Sequence, residues 1–297
     1  MRKIGVFILI LLLCISASVT AYAEIEPMVT ERIVFNELEY IAALRTEGQG
    51  EQHSVELYSL YSESIDSDCV EQELLHRKSL SDEILSAGYG YTDEQIAILR
   101  NYEGTPIEDT PEILALGAEL TLRTPEVLAC SAFGIELYVE WEWDSKPLIR
   151  QNDAIAMYWR PTFGSQNGTL RMIHERSFVD VEYINSDNLG YNYSVINFSN
   201  EALGEASKAV FPMMYGGQNS TKFWAHSGSA FMDLEISEGS ANLTSVDVEI
   251  SYGHSTIAVT PSISYPFSGG ISWEGTTTES GEQVGYINIS NGIWNRN

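Results

Sequence analysis

Positively charged side chains are scarce in this chain. Its 297 residues include 16 Lys and Arg against 42 Asp and Glu, which gives a formal net charge of −26 at pH 7. Proteins that bind nucleic acid or anionic lipid headgroups rely on Lys and Arg to displace counterions from phosphate groups. We therefore expect no nucleic acid among the partners of this protein.

Long apolar segments are also missing beyond the N-terminus. Residues 4–15 form an apolar run that follows Arg2 and Lys3 and precedes Ala21 and Ala23, which are separated by one residue. This order is typical of a secretory signal peptide with cleavage after Ala23. The run is shorter than the ~20 residues that a permanent membrane helix needs. The sequence predicts a secreted, extracellular mature chain of net charge −28 without a transmembrane segment, because residues 1–23 hold two basic residues and no acidic one.

Cysteine is rare, with three in the whole chain. Cys14 lies in the segment that we expect to be removed, so Cys69 and Cys130 remain. A pair of cysteines in the oxidising environment outside the cell indicates a disulfide. Closing a loop of this length would stabilise the fold by about 4 kcal/mol in the chain-entropy model. The alternative is two buried free thiols.

The first part of the mature chain, residues 24–128, has the pattern of helices. Apolar residues recur there at helical spacing, as in Val34, Leu38 and Ile41. Residues that favour helix starts precede several of these segments. They are Thr30, Asp68, Thr92 and Thr110. The helix that starts at Asp68 is predicted to end before Gly88, and Gln95 is predicted to close a capping box with Thr92. We predict a helical N-terminal region.

From Phe133 onward the apolar period changes from helical to two. Ile135, Leu137 and Val139 alternate with polar residues, and the same alternation recurs around Ile155, Val179, Met232 and Val246, separated by turn signals. Most of the six Trp lie on such segments and are expected to face the core. Short strands without intervening helices predict an antiparallel β-sandwich or jelly-roll-like domain over 129–297. The predicted fold class is therefore α+β.

Three acidic residues on the first of these strands form a candidate catalytic group. Glu140, Glu142 and Asp144 are spaced by two, so their carboxylates project from one face with neighbours ~6 to 7 Å apart. A pair of glycosidase carboxylates needs a similar separation. The run resembles the acidic strand of laminarinase-like jelly-roll glycosidases, but Glu142 stands where that family has Asp and Asp144 where it has Glu. The alternative interpretation is a solvated strand face.

The segment from Asn185 to Gly190 is similar to the first half of a calcium loop. Asn185 and Asp187 would supply the first two oxygen ligands, whereas Leu189 stands at the fifth position and the closing Glu is missing. We favour a hairpin turn there and predict no cofactor. The acidic surface nevertheless offers oxygen ligands for weak Ca²⁺ binding.

The 24 residues between Glu249 and Glu274 carry no formal charge when His254 is neutral, and Ser and Thr alternate there with apolar residues. This composition is similar to the membrane-inserting hairpins of secreted β-pore-forming toxins. Pro261 and Pro266 interrupt the pattern, which favours an ordinary antiparallel strand pair.

Enzyme motifs are absent from the sequence. The five histidines contain no H-E-x-x-H pair, and no serine lies in a G-x-S-x-G elbow. The leading hypothesis is therefore a secreted, non-enzymatic binding protein whose partner is an extracellular protein or glycan. The second is a secreted glycan-active hydrolase that uses the Glu140 strand, and the third is a secreted membrane-active toxin or bacteriocin-like protein.

Overall fold

The computed structural model of the protein describes residues 33–47, 67–106, 111–149, 151–164, 171–186, 190–200, 205–215, 222–237, 242–254 and 278–296. These residues belong to one compact unit, Arg32–Asn297. The fold is a β-rich α+β fold in which the strands pair antiparallel. The predicted signal peptide lies outside the described residues.

The helices lie between the first and second strands of the chain. They are α1 Glu37–Glu47, α2 Ser67–Lys78, α3 Asp82–Tyr89, α4 Asp93–Asn101 and α5 Pro111–Leu114. Their apolar residues form a core of their own, which includes Leu38, Leu74, Leu85 and Leu99. Within the described part of the chain, no helix is long and apolar enough to cross a membrane.

The strands form two sheets. They are β1 Ile33–Asn36, β2 Glu119–Leu122, β3 Glu126–Ser131, β4 Gly134–Trp143, β5 Asn152–Phe163, β6 Met172–His174, β7 Phe178–Asn185, β8 Tyr191–Asn197, β9 Ser199–Asn200, β10 Ala206–Pro212, β11 Phe223–Ile236, β12 Leu243–His254, β13 Thr278–Asn288 and β14 Ile293–Arg296. The eight-stranded sheet has the order β1-β2-β4-β11-β7-β8, with β3 paired to β4 and β6 to β11. The six-stranded sheet has the order β14-β13-β12-β5-β10-β9.

Aromatic side chains from both sheets meet in one core. The ring of Trp141 on β4 stacks on Phe211 of β10 at a centroid distance of 5.3 Å and contacts Tyr252 of β12 at 5.1 Å. Trp143, Trp159 and Trp224 are also fully buried. The alternation predicted around Ile135, Ile155, Val179, Met232 and Val246 is confirmed, since each of these residues is buried on a strand.

The start of the described chain differs from the prediction of a helix capped by Thr30. Residues Ile33–Asn36 form β1, which pairs with β2, and α1 begins only at Glu37. The side chain of Asn36 explains why the helix begins there, because its oxygen accepts hydrogen bonds from the backbone N–H groups of Leu38 (3.0 Å) and Glu39 (3.1 Å). It thereby caps the helix.

The helix predicted from Asp68 to Gly88 is divided in two. α2 ends at Lys78, and Ser81 starts α3 because its hydroxyl accepts a hydrogen bond from the Ile84 N–H (3.3 Å). The capping box of Thr92 and Gln95 is confirmed, with both reciprocal hydrogen bonds formed. The residues predicted to be helical, 24–128, thus also contain β1, β2 and part of β3, and β1 and β2 join the eight-stranded sheet.

Two buried cations connect the helices to the loop after β4. Arg77 of α2 donates hydrogen bonds to the carbonyl oxygens of Lys146 (2.8 Å) and Pro147 (2.9 Å). Lys146 donates to the Ser186 hydroxyl (3.0 Å) at the end of β7. Both cations lie over the ring of Tyr89, at 5.0 and 4.6 Å from its centroid. Each charge is therefore compensated without contact with water.

The predicted disulfide is not formed in the structure. Cys130 on β3 has a free thiol whose Sγ lies 3.7 Å from the carbonyl oxygen of Ile289, beside Gly292. Cys69 belongs to α2, and its side chain lies outside the described part of the structure. The thiol of Cys130 therefore contacts the turn between β13 and β14.

Candidate binding groove on the eight-stranded sheet

The outer face of the eight-stranded sheet contains a groove of about 400 Å³. It crosses β4, β11, β7 and β8. Four carboxylates line it, Glu140 and Glu142 from β4 and Asp180 and Glu182 from β7, together with the guanidinium of Arg123. The groove therefore contains four acidic side chains and one permanently positive one.

Strand alternation explains why these side chains share one face. Val139 and Trp141 on β4 and Val179 and Val181 on β7 are buried in the core. Their polar neighbours must project from the opposite face, because successive side chains of a strand alternate. The carboxylates of both strands consequently point outward.

The central strand β11 gives the groove its concave shape. In its register, Ser227 lies opposite Glu142 on one side and Glu182 on the other, and Ser229 lies between Glu140 and Asp180. Serine is short and its neighbours are long, so the middle of the sheet face is lower than its sides. The serines form the floor, and the longer side chains of β4 and β7 form the walls.

Hydrogen bonds orient two of the carboxylates. Glu140 accepts from the Tyr138 hydroxyl (3.0 Å), and Glu182 accepts from Ser227 and from the Tyr193 hydroxyl (3.2 Å each). Oδ1 of Asp180 is buried and has no hydrogen-bond partner among the described residues. This oxygen is enclosed by the protein and does not belong to the open surface of the groove.

Arg123 neutralises only part of this charge. Its guanidinium nitrogens lie 3.5 Å from a Glu140 oxygen and 3.6 Å from a Glu142 oxygen. These side chains are between about one third and one half exposed, and such pairs contribute little to stability. One cation thus serves two carboxylates, and Asp180 and Glu182 have none within ion-pair distance in the described structure.

A β-bulge places His226 beside the groove. The register between β11 and β7 passes from Ala225 opposite Tyr183 to Ser227 opposite Glu182, so His226 is the extra residue. Bulges reorient side chains and are frequent next to functional sites. Partial burial lowers the pKa of His226, although Glu142, Glu182 and Asp144 act in the opposite direction. Its neutral form is therefore favoured.

The predicted group Glu140, Glu142 and Asp144 is brought together only in part. Glu140 and Glu142 line the groove, whereas Asp144 follows the end of β4 and is not among the lining residues. Its carboxylate accepts hydrogen bonds from the Glu119 N–H (2.7 Å) and the Ser145 hydroxyl (3.0 Å). Loss of hydration raises the pKa of Asp144. The turn after β4 explains the separation, because the strand alternation ends at Trp143.

The weak calcium candidate coincides with a hairpin. Asn185 ends β7, its N–H donates to the Gly190 carbonyl (2.8 Å), and β7 pairs with β8. The two strands therefore pair as a hairpin would require, and residues 187–189 between them lie outside the described residues. Asp187 lies outside the described residues, and among those that are described no group of three or more His, Cys, Asp or Glu could hold a metal ion. The Ser/Thr-rich segment with Pro261 and Pro266 lies outside the described residues as well.

Sequence reasoning missed half of the groove. Asp180 and Glu182 alternate with Val179, Val181 and Tyr183, so the pattern alone places them on a wet face. What the pattern did not reveal is that β7 lies two strands from β4, with the serines of β11 between them.

Comparisons with known proteins identify no family. No family model matches the chain, and no curated protein is significantly similar to it. Two solved structures show limited similarity, one titled "AvmM Catalyzes Macrocyclization in Alchivemycin A Biosynthesis" and the other Clostridium perfringens delta-toxin. The first has 11% identity and a TM-score of 0.25 over 56% of this chain and 87% of its own. The second has 6% identity and a TM-score of 0.22 over 61% and 89%. TM-scores this low do not establish a shared fold or function.

Proposed function

We propose that the protein is an exported, non-enzymatic binding protein whose acidic groove takes a positively charged ligand. The observation that carries the proposal is the set of four carboxylates around one concave surface with Arg123 as the counter-charge. A cationic ligand would gain electrostatic attraction there, and the net charge of the chain would accelerate its approach. Asp180 adds to the negative potential of the same surface.

A binding role suits this chemistry better than catalysis does. A glycosidase needs one carboxylic acid that stays protonated near neutral pH to act as the general acid. Here Arg123 lies 3.5 Å from a Glu140 oxygen and 3.6 Å from a Glu142 oxygen, so both candidate carboxylates already pair with a permanent cation. Trp141, which contributes to the groove lining, is only 1% exposed and offers no free face for stacking on a sugar.

A glycan-active hydrolase is the second candidate. The observation in its favour is that Glu140 and Glu142 do lie side by side in a groove that also contains Tyr138 and Tyr193. Two residues apart on a strand, the carboxylates are ~7 Å apart, which falls within the range of glycosidase pairs.

The proposal also includes the fold. We interpret the two sheets with their shared core as a jelly-roll-like sandwich.

Spermine is a suitable first ligand to test the groove. We expect isothermal titration calorimetry at low salt to detect binding, and the double variant Glu142→Gln/Glu182→Gln to bind about fivefold to tenfold more weakly. Each lost ion pair should contribute up to about 1 kcal/mol. The control is Glu83→Gln/Glu94→Gln, which removes two exposed carboxylates from the helices.

An equal loss of affinity in both double variants would show that spermine senses only the net charge, which would contradict a specific groove. Release of reducing sugar from a soluble β-1,3-glucan, abolished by Glu140→Gln or Glu142→Gln, would instead establish the hydrolase.

The export part of the proposal has its own test. The order of Arg2, Lys3, the apolar run and Ala21 to Ala23 predicts that protein recovered from the culture medium starts at Glu24. N-terminal sequencing of the secreted protein checks this. Full-length chain retained in the membrane fraction would contradict it.

A further inference from the structure

Strand β8 is the last strand at one end of the eight-stranded sheet. Asn192, Ser194 and Ile196 alternate along it with Tyr191, Tyr193 and Val195. One backbone edge of β8 pairs with β7. Among the described residues, no strand pairs with the other edge.

One hydrogen bond indicates which backbone groups face the open edge. The N–H of Tyr193 donates to the side-chain oxygen of Asn192 (3.0 Å). It points away from β7, because the hydrogen bonds of Asn185 to Gly190 and of Phe198 to Ser177 make the pair of Tyr193 and Glu182 a non-hydrogen-bonded one. Backbone groups of alternate residues point to the same edge of a strand, so the N–H of Val195 faces the open edge as well. A strand added here would face the N–H of Val195 and the carbonyl oxygens of Tyr193 and Val195, and it would compete with Asn192 for the N–H of Tyr193.

The side chains of the same residues are unusually exposed for their size. Tyr191, Tyr193 and Val195 are 62, 61 and 64% exposed. Soluble proteins commonly protect a sheet edge by shortening it or by placing Lys or Pro on it. The edge strand β9 of the other sheet follows this rule with two residues, whereas β8 has seven residues and neither Lys nor Pro.

We infer that β8 is a docking edge for an extended segment of a basic partner protein, which adds to the sheet as one more antiparallel or parallel strand. The inference rests on the proposed function, because it identifies the positively charged ligand as a polypeptide. Backbone hydrogen bonds along β8 would hold the segment, and its side chains would meet the exposed row of Tyr191, Tyr193 and Val195.

Charge complementarity explains why the partner is basic. A neighbouring strand lies ~4.8 Å away, so a side chain opposite Tyr193 would lie next to its ring. The Tyr193 hydroxyl already contacts Glu182 at 3.2 Å. A Lys or Arg at that position is long enough to lie over the phenol ring and approach the Glu182 carboxylate. A basic side chain bound at the edge would therefore reach the acidic groove, which Tyr193 and Glu182 both line.

The same charges disfavour a second copy of this chain as the occupant. Each copy has a formal net charge of −26, and pairing two β8 edges would bring two acidic sheet faces together. Like charges that face each other across an interface cost affinity. A basic partner experiences the opposite effect.

The experiment compares two peptides that differ only in their backbone. One is an eight-residue peptide of alternating Lys and Thr, and the other has the same side chains with alternate backbone nitrogens methylated. We expect the methylated peptide to bind the mature protein at least tenfold more weakly in calorimetric titrations, because it cannot complete a strand ladder. Spermine, which has no peptide backbone, serves as the reference for attraction by the groove alone.

Two variants test the edge from the protein side. Val195→Pro removes an N–H that faces away from β7, and proline is tolerated at such edge positions. We expect it to weaken the unmethylated peptide about tenfold and to leave the affinity for spermine unchanged. Tyr193→Ser keeps the backbone intact and should weaken the same peptide about threefold or more. Thermal unfolding of both variants checks that they fold.

Each outcome decides between the two proposals. Equal affinity for both peptides would overturn strand addition and leave the groove proposal standing if spermine still binds. Failure of every cationic probe would overturn both proposals. Self-association in sedimentation experiments that Val195→Pro abolishes would identify a second copy as the occupant and overturn the inference of a basic partner.

Discussion

Replacing Asp153 with Asn should lower the free energy of unfolding by about 3 to 5 kcal/mol, the usual effect of breaking a buried ion pair. Asp153 begins β5, and its Oδ1 lies 2.7 Å from Nδ1 of His254 at the end of β12. Its other oxygen accepts a hydrogen bond from the hydroxyl of Tyr252. All three side chains are fully buried. The substitution would leave a buried charged imidazole with one of its two carboxylates.

The second carboxylate belongs to the helical part of the chain. Oε1 of Glu37, the first residue of α1, lies 3.5 Å from Nε2 of His254. The carboxylate also accepts hydrogen bonds from the backbone N–H groups of Leu148 and Ile149 (2.7 Å each). The cluster therefore joins α1, the loop after β4 and one end of the β5–β12 pair, where Asp153 and His254 lie directly opposite each other.

This cluster should make stability depend on pH. Burial alone would lower the pKa of His254, but Asp153 and Glu37 outweigh it and raise that pKa to about 10. The folded protein therefore binds one more proton than the unfolded chain between about pH 6.5 and 10. The stabilisation is complete below pH 6.5 and is lost as the pH rises through about 10, with a slope of about 1.4 kcal/mol per pH unit.

Urea unfolding of the wild type and of Asp153→Asn at pH 7 and pH 9.5 tests the expected loss of stability and its dependence on pH. The difference in free energy between the two proteins should be smaller at pH 9.5, because the charged pair contributes less there. Asp247→Asn is the control, since it breaks a partly exposed pair with Arg160, whose side chain is 57% exposed, and should cost no more than about 1 kcal/mol. A difference that is the same at both pH values would contradict a charged His254.

The sequence predicts local features well because local chemistry decides them. The alternation over β4 produces one buried and one exposed face, and Thr92 with Gln95 forms its capping box without help from distant residues. The prediction is incomplete where a distant partner decides. β1 is a strand because β2, more than eighty residues away, offers it a paired edge, and nothing near Ile33 signals that edge.

The groove also combines features that nearby residues decide with features that distant residues decide. The outward direction of Glu140 and Glu142 could be read from the sequence, and so could that of Asp180 and Glu182. Their convergence could not, because it depends on β11 lying between β4 and β7. The pairing of Glu37 with His254 is equally hidden, since 217 positions separate the two residues and neither belongs to a motif. Sheet order and long-range pairing are properties of the whole chain.

Below the groove floor, Gly228 is a position where a single methyl group should affect both stability and the site. It lies opposite Trp141 on one side and Val181 on the other, in the middle of β11. A Cβ at this position would lie 2.5 Å from the carbonyl oxygen of Asp180 and 2.6 Å from Cζ2 of Trp141. Neither neighbour can move freely, because one is sheet backbone and the other is a fully buried ring stacked on Phe211.

We therefore expect Gly228→Ala to lower the free energy of unfolding by about 3 kcal/mol, at the upper end of the usual range for overpacking a core. The strand shift that relieves the contact with Asp180 should also weaken spermine binding, since Asp180 lines the groove. Urea unfolding and calorimetry measure the two effects. Gly164→Ala is the control, because its Cβ would lie 3.0 Å from the side-chain methyl of Thr244 and 3.9 Å from the carbonyl oxygen of Asn242, and should cost less than about 1 kcal/mol. If Gly228→Ala were as stable as the wild type, the indole ring of Trp141 could not lie against β11 at this position.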